Sequence, residues 1–329
     1  MYKKIQTLLI LGFVFFINNF ASAQTLNNFN VWLNNFKNKA ISQGISAKTV
    51  NSVMENAKFL PKVIEYDRFQ PEFYEDTFTY IKKRTNKQKV KKGLALYDKE
   101  TNLINKVENE FLVEKELLLA LMGIETNYGK YLGKMDIISS LATLSFDKRR
   151  SDFFSSELLT LLELVDNKLI DPKTLYGSWA GAYGNFQFMP STIKTYAIDY
   201  DQNNKIELKT SLRDSLASAA NYINRIGWKR GEPCFFRVKL TSEIKKKYLN
   251  TSARKISNKL KISKWKKKGI VNYDGTELVG NQKAALILPD GKPETPIFLV
   301  FDNYEKILKW NRSLRFGISI CTLANMIKA

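Results

Sequence analysis

Glu125 stands in the segment Gly123-Ile124-Glu125-Thr126-Asn127-Tyr128-Gly129, which closes the apolar run Leu117-Leu118-Leu119-Ala120-Leu121-Met122. It follows Leu118, Leu121 and Met122 by seven, four and three residues, spacings that share one face of a helix. That face must be buried, so the carboxyl points toward apolar packing at a helix end. Burial disfavours the charged form and raises the pKa. The negative end of the helix dipole acts in the same direction. A carboxyl that keeps its proton near neutral pH suits a general acid, such as one that protonates a glycosidic oxygen. A solvent-facing glutamate at a frayed helix end fits the same pattern.

About fifty residues later comes Gly177-Ser178-Trp179-Ala180-Gly181-Ala182-Tyr183-Gly184-Asn185-Phe186-Gln187-Phe188-Met189-Pro190. Gly181 and Gly184 permit tight turning and close backbone approach. Trp179, Tyr183, Phe186 and Phe188 offer flat apolar faces on which the C–H faces of sugars stack. Ser178 and Gln187 can hydrogen-bond hydroxyl and amide groups. The competing reading is an aromatic core, which suits Phe188 and Met189 better.

A third pattern, Asp199-x-Asp201-x-Asn203-x-Lys205-Ile206, begins like a calcium-binding EF-hand loop. Side-chain oxygens at the first, third and fifth positions, a backbone carbonyl at the seventh (Lys205) and an apolar eighth residue all fit. Asn204 stands where glycine is usual, though asparagine tolerates the left-handed conformation. Thr210 stands where the closing glutamate is expected. A polar turn that binds nothing is the alternative. Any ion there would be structural, because acid chemistry requires no cofactor.

Composition removes whole classes of chemistry. The 329-residue chain has no histidine, which excludes Ser-His-Asp and Cys-His catalysis and every histidine-ligated metal. Its two cysteines, Cys234 and Cys321, are too few for a zinc cluster or a disulfide framework, and spacing leaves open whether they pair. Lys3 and Lys4, the apolar stretch Leu8 to Ile17 and Ala21-Ser22-Ala23 read as a signal peptide cleaved after Ala23. The apolar stretch is about half the ~20 residues of a spanning helix. The expectation is therefore a periplasmic protein with no stable membrane anchor after cleavage; an uncleaved anchor is the alternative. The formal charge is +20, and losing two leader lysines with no acid leaves +18. Such a surface suits an anionic polymer. Export argues against nucleic acid and for peptidoglycan, whose stem peptides carry carboxylates. Solvated lysines with no partner fit equally well.

The elements that would position these residues are mostly helical. Residues 27–60 look helical, and Pro71 marks a break. Residues 74–112 read as further amphipathic helix, 113–127 as the apolar helix of Glu125, and 152–166 and 212–226 as two more. Beyond Gly231 the chain turns lysine-rich. Ala284–Leu288 and Ile297–Phe301 read as strands joined by Pro289-Asp290-Gly291. Helix returns from Tyr304. The organisation expected is a signal peptide (1–23), an N-terminal helical domain (24–100), a catalytic core (101–231 with 301–329) and a small β-containing domain (232–300).

The motifs, in order, resemble the lytic murein transglycosylase B family. The Glu125 segment resembles the end of that family's catalytic helix. Asp67-Arg68-x-Gln70-Pro71-Glu72-Phe73, Ala142-Thr143-Leu144-Ser145-Phe146 with Arg149-Arg150 and Phe153-Phe154, the Gly177–Ser191 segment, Ala220-Asn221-Tyr222 with Gly227-Trp228, and Ile307-Leu308-Lys309-Trp310-Asn311-Arg312-Ser313 match in sequence order. The resemblance covers roughly residues 45–329. It implies a mainly α (α+β) fold, with a lysozyme-like helical core, an N-terminal helical domain and a small β insertion. It implies cleavage between N-acetylmuramic acid and N-acetylglucosamine with Glu125 as single acid and base, giving 1,6-anhydromuramoyl ends. Ser178 and Gln187 would lie near the acid, and Tyr80, Tyr222 and Asn311 would line the groove. Arg149 and Arg150 would meet stem-peptide carboxylates, and Asp214 would complete the calcium site. Partners would be glycan strands and other cell-wall enzymes. A hydrolytic muramidase and a non-catalytic wall-binding protein are the alternatives. The chain departs from the family at Trp310 and Phe316, where tyrosine is frequent, which puts a polar contact at Phe316 in doubt.

Overall fold

The computed structural model describes residues 25–70 and 74–329. The expected signal peptide and the Pro71 break lie outside the described residues. In chain order the helices are α1 (25–42), α2 (Ala47–Met54), α3 (Pro61–Arg68), α4 (Thr77–Arg84), α5 (Lys87–Lys99), α6 (Thr101–Phe111), α7 (Lys115–Thr126), α8 (Ile137–Phe146), α9 (Ser151–Asp166), α10 (Pro190–Tyr196), α11 (Leu212–Arg225), α12 (Ile262–Lys266), α13 (Asp302–Trp310) and α14 (Leu314–Lys328). The strands are β1 (Met135–Asp136), β2 (Tyr176–Gly177), β3 (Phe235–Leu240), β4 (Leu249–Asn250), β5 (Leu260–Lys261), β6 (Ile270–Asn272), β7 (Lys283–Ile287) and β8 (Ile297–Val300).

The stretch 74–112 forms three helices rather than one because a polar side chain, Asn86, caps a start inside it; the third helix begins after Glu100 with no side-chain cap. Asp76 accepts from Thr79 N, and Asn86 accepts from Lys89 N. The first stretch divides for the same reason, with Ser46 capping α2.

Two compact units are present. The first holds residues 25–68, Gly133–Tyr183 and Met189–Lys194. In it α8 packs on α9 and α3, and β1 pairs antiparallel with β2. Phe29, Trp32, Phe59 and Phe146 form an aromatic cluster with ring centroids 5.5–6.1 Å apart.

The second unit holds Phe69–Leu132, Gly184–Phe188 and Thr195–Ala329. Its centre is α7, packed against α14, α5, α6 and α11. Leu117 to Gly123 of α7 are all buried. Beyond α11 lies a sheet in the order β4-β7-β8-β3-β6, with β5 also on β7. Only the β4–β7 pair is parallel. Trp265, fully buried, fills the sheet core and donates its indole N–H to Ala284 O at 2.8 Å. Asp290, in the turn after β7, accepts from Thr77 N on α4 and from Arg315 on α14. Cys234 and Cys321 form a disulfide, with Cα atoms 6.1 Å apart, joining the start of β3 to α14.

Candidate active site

Glu125 lies on the last turn of α7, half-buried. Three residues with positive φ follow at once: Asn127 (52°), Tyr128 (61°) and Gly129 (78°). A tyrosine in this region is strained unless its surroundings hold it. Its ring is held in a slot made by two glycines. A Cβ on Gly123 would come within 2.7 Å of the ring, and one on Gly93 within 2.6 Å of its hydroxyl oxygen. The Tyr128 hydroxyl donates to Lys89 O at 2.8 Å, while Lys89 Nζ donates to Gly123 O. Burial pushes the Tyr128 phenol well above its ordinary value, so it remains a donor. The end of the Glu125 helix is thereby latched to α5.

On another side of the acid, Trp310 at the end of α13 donates its indole Nε1–H to Glu125 Oε1 at 3.0 Å. The indole is fixed by a stack: Tyr222 lies 5.0 Å from it at 20°, and Tyr196 lies 4.3 Å from Tyr222 at 22°. Phe186 and Phe188 meet the indole edge-on. Tyr222 is 8% exposed and donates to Lys309 O, and burial with Tyr196 beside it pushes its phenol up to about 12.

Thr126, fully buried, donates to Asn185 O at 2.8 Å, and Gly129 N donates to Thr126 Oγ1. Asn185 in turn donates its side chain to Leu208 O (3.1 Å) and Ser215 Oγ (3.1 Å), and its backbone N–H to Leu208 O (2.8 Å). Gly184 permits this approach, since a Cβ there would sit 2.5 Å from Leu208 O. Gln187, with φ 51°, donates Nε2 to Gly184 O and Leu132 O. The acid thus stands beside a strap, Gly184–Phe188, that closes on the segment before α11.

Glu125 opens on a cavity of about 450 Å³, walled also by Asn86, Gln88, Lys89, Lys92, Asn127, Lys130 and Tyr131. Among the described residues Glu125 is the only carboxylate in that wall.

The other expected residues fall as follows. Asn311 follows Trp310 directly and caps α13. Tyr80 is 1% exposed, with the Arg84 guanidinium 3.5 Å over its ring. Ser178 belongs to the first unit, where its hydroxyl accepts from Ala180 N and Ala182 N within its own turn. Arg149 and Arg150 both bind the buried Asp67 carboxylate. Burial alone would raise the Asp67 pKa, but the two arginines outweigh it and hold the carboxyl below the ordinary carboxylate range. Tyr183, Phe186 and Phe188 are buried and pack the interior, rather than presenting faces to a groove. Phe316 is likewise buried. The partner that residue spacing alone did not give Glu125 is Trp310. Its one signal was the departure from tyrosine near the C-terminus.

Asp199, Asp201 and Asp214 converge, each offering a carboxylate oxygen within 4.8 Å of the others. Asp199 accepts from Asn203 N and Asn204 N, the latter residue at φ 66°. Asp214, fully buried, accepts from Tyr200 N and Glu207 N. The Asp201 pKa is raised, first by desolvation and then by the charge of Asp214.

A family model described as the transglycosylase SLT domain matches residues 28–325. The chain belongs to that family. It is 37% identical over 154 residues to the membrane-bound lytic murein transglycosylase B of Escherichia coli K12, a stretch covering 46% of this chain and 42% of that protein. This chain therefore matches less than half the length of that relative. SltB3 of Pseudomonas aeruginosa, solved in complex with NAG-NAM-pentapeptide, superimposes with a TM-score of 0.83 at 31% identity, covering 92% of this chain and 80% of SltB3. The Escherichia coli lytic transglycosylase SLT35 in complex with calcium gives 0.74 at 27% identity, covering 90% and 92%. The fold is the mainly helical, lysozyme-like one of these family members, with its small sheet.

Proposed function

We propose that this chain is a peptidoglycan lytic transglycosylase in which Glu125 is the single acid and base. The observation that carries the reading is the Trp310–Glu125 hydrogen bond at the edge of a cavity with no second carboxylate among the described residues. Glycosidases that use two carboxyls place both around the scissile bond. A lone carboxyl must serve twice. An indole N–H only donates, so it holds Oε1 as an acceptor and leaves the exchangeable proton to Oε2. Glu125 gives that proton to the glycosidic oxygen between N-acetylmuramic acid and N-acetylglucosamine. The C1–O bond breaks, and the carbonyl oxygen of the substrate's own 2-acetamido group bonds to C1. The Glu125 carboxylate then takes the proton of the muramoyl C6 hydroxyl. The C6 oxygen displaces the acetamido oxygen from C1 and closes the 1,6-anhydro ring without consuming water. The relatives support the reading: the Escherichia coli relatives are lytic transglycosylases, and SltB3 was solved with a NAG-NAM-pentapeptide.

The test is mass spectrometry of fragments released from purified peptidoglycan. Wild-type protein is expected to release anhydro-ended fragments, lighter by one water than hydrolysis products, and Glu125→Gln none. Reducing ends instead would make the protein a muramidase. Release by neither protein would point to wall binding without catalysis.

A calcium ion at Asp199, Asp201, Asn203, the Lys205 carbonyl and Asp214 belongs to the same reading. The converging carboxylates and the raised Asp201 pKa suit a divalent cation, which would relieve their mutual repulsion. Bound there, it would hold the loop and supply no chemistry to the acid. We also place the protein in the periplasm, on the strength of the leader sequence. Among the described residues no helix is long and apolar enough to cross a membrane.

A further inference from the structure

We propose that the cavity beside Glu125 takes a carboxylate of the substrate's peptide side chain, with Lys92 and Lys130 as its cationic wall. This inference rests on the lytic transglycosylase reading and adds the part of the substrate that the pocket selects.

Three lysines line the cavity, and its one acid is Glu125 itself. Lys89 is committed: its ammonium is partly buried and bonded to Gly123 O. Lys92 and Lys130 make no ion pair with any described carboxylate. The Lys92 ammonium donates to the neutral Asn127 Oδ1 at 3.4 Å, and the Lys130 ammonium lies 5.5 Å over the Tyr131 ring. The cavity is therefore positive. Consistently, the Lys89 pKa is lowered, first by burial and then by the charges of Lys92 and Arg84. The cations that sequence motifs offered for this purpose, Arg149 and Arg150, are instead both engaged by Asp67.

The rest of the wall suits a peptide rather than a bare anion. Asn86, Gln88 and Asn127 provide amide donors and acceptors, and the Tyr131 ring, 63% exposed, offers a flat face. About 450 Å³ lies within the range of pockets that enclose a small ligand. A glycan whose side peptide enters this cavity places its anionic end on the lysines while its sugar lies at the carboxyl of Glu125. The pocket would then favour glycan that still bears peptide.

The experiment is calorimetric titration of the Glu125→Gln protein, which cannot turn substrate over. The ligands are N-acetylglucosaminyl-N-acetylmuramoyl-pentapeptide and the same compound with its peptide carboxylates converted to amides. The amidated form is expected to bind about fivefold to tenfold more weakly, the scale of two half-exposed charge pairs. Adding Lys92→Ala and Lys130→Ala is expected to erase that difference, with the thermal melt unchanged. Equal affinity for both ligands, no binding of either, or a preference that survives the lysine substitutions overturns the proposal. Cleavage of native and amidated glycan by the wild type is scored separately. Failure to cut either would remove the transglycosylase reading and leave the binding result to be judged by itself.

Discussion

At the scale of single residues, Glu125 is held by a donor that cannot change roles. Trp310 presents one N–H and no acceptor, and its ring is clamped by Tyr222, Phe186 and Phe188. Trp310→Phe keeps much of the stack and removes the N–H. A hydrogen bond to a charged group contributes about 1.5–3 kcal/mol, so kcat is expected to fall at least about tenfold with KM little changed. Trp310→Tyr restores a donor on a flat ring and is expected to recover most of that loss. Steady-state kinetics on purified glycan decides it: equal losses in both variants would mean that Trp310 matters for packing alone. The helix of Glu125 was legible in the sequence because its apolar run keeps helical spacing, though the same pattern also fitted a solvent-facing glutamate. The partner of Glu125, 185 residues away, was not legible. No local pattern encodes which side chain a distant helix end delivers.

At the scale of elements, the segment ending α7 and the acidic loop are tied through one strap. Asn185 joins Thr126 to Leu208 and Ser215, and Leu208 follows Glu207, whose N–H donates to Asp214. These contacts run without a break from the loop to the end of the helix that carries Glu125. Without an ion, the raised Asp201 pKa has a definite sign. Stability is fully present below the unfolded pKa and is lost as pH rises through the folded one. A cation removes that loss. Calcium at about a hundred times its Kd is expected to add about 2.7 kcal/mol, and so to raise Tm by several degrees near neutral pH. EDTA should reverse the gain, and Asp214→Asn should abolish it, both read by calorimetry. A Tm indifferent to calcium and to EDTA would sink the site. Helices were readable where apolar residues recur at helical spacing: α7, α9 and α11 lie within a residue or two of their expected bounds. The division of 74–112 was missed because Asn86 acts as a cap, not as a chain breaker, and the break at Glu100 carries no side-chain cap at all. Strand β3 was missed because lysine-rich flanks mask a short run whose pairing with β6 and β8 is non-local.

At the scale of the whole molecule, the dominant property is charge. The chain carries 52 basic and 32 acidic residues, an excess of 20 that one-to-one ion pairing inside the fold leaves uncompensated. A surface of that sign concentrates an anionic polymer around the protein before any pocket is filled. If that attraction is what the lysines contribute, it must be screened by salt, whereas contacts made by half-buried rings must not be. Raising the salt from about 0.1 M to about 1 M shortens the screening length from about 10 Å to about 3 Å. Co-sedimentation of Glu125→Gln with purified peptidoglycan is therefore expected to weaken by about tenfold over that range. Co-sedimentation with chitin, a β-1,4-linked N-acetylglucosamine polymer with no carboxylates, should barely change. Salt sensitivity on both polymers would mean that salt disturbs the protein rather than the attraction. Insensitivity on both would mean that the lysines keep the protein in solution and do not draw it to the wall.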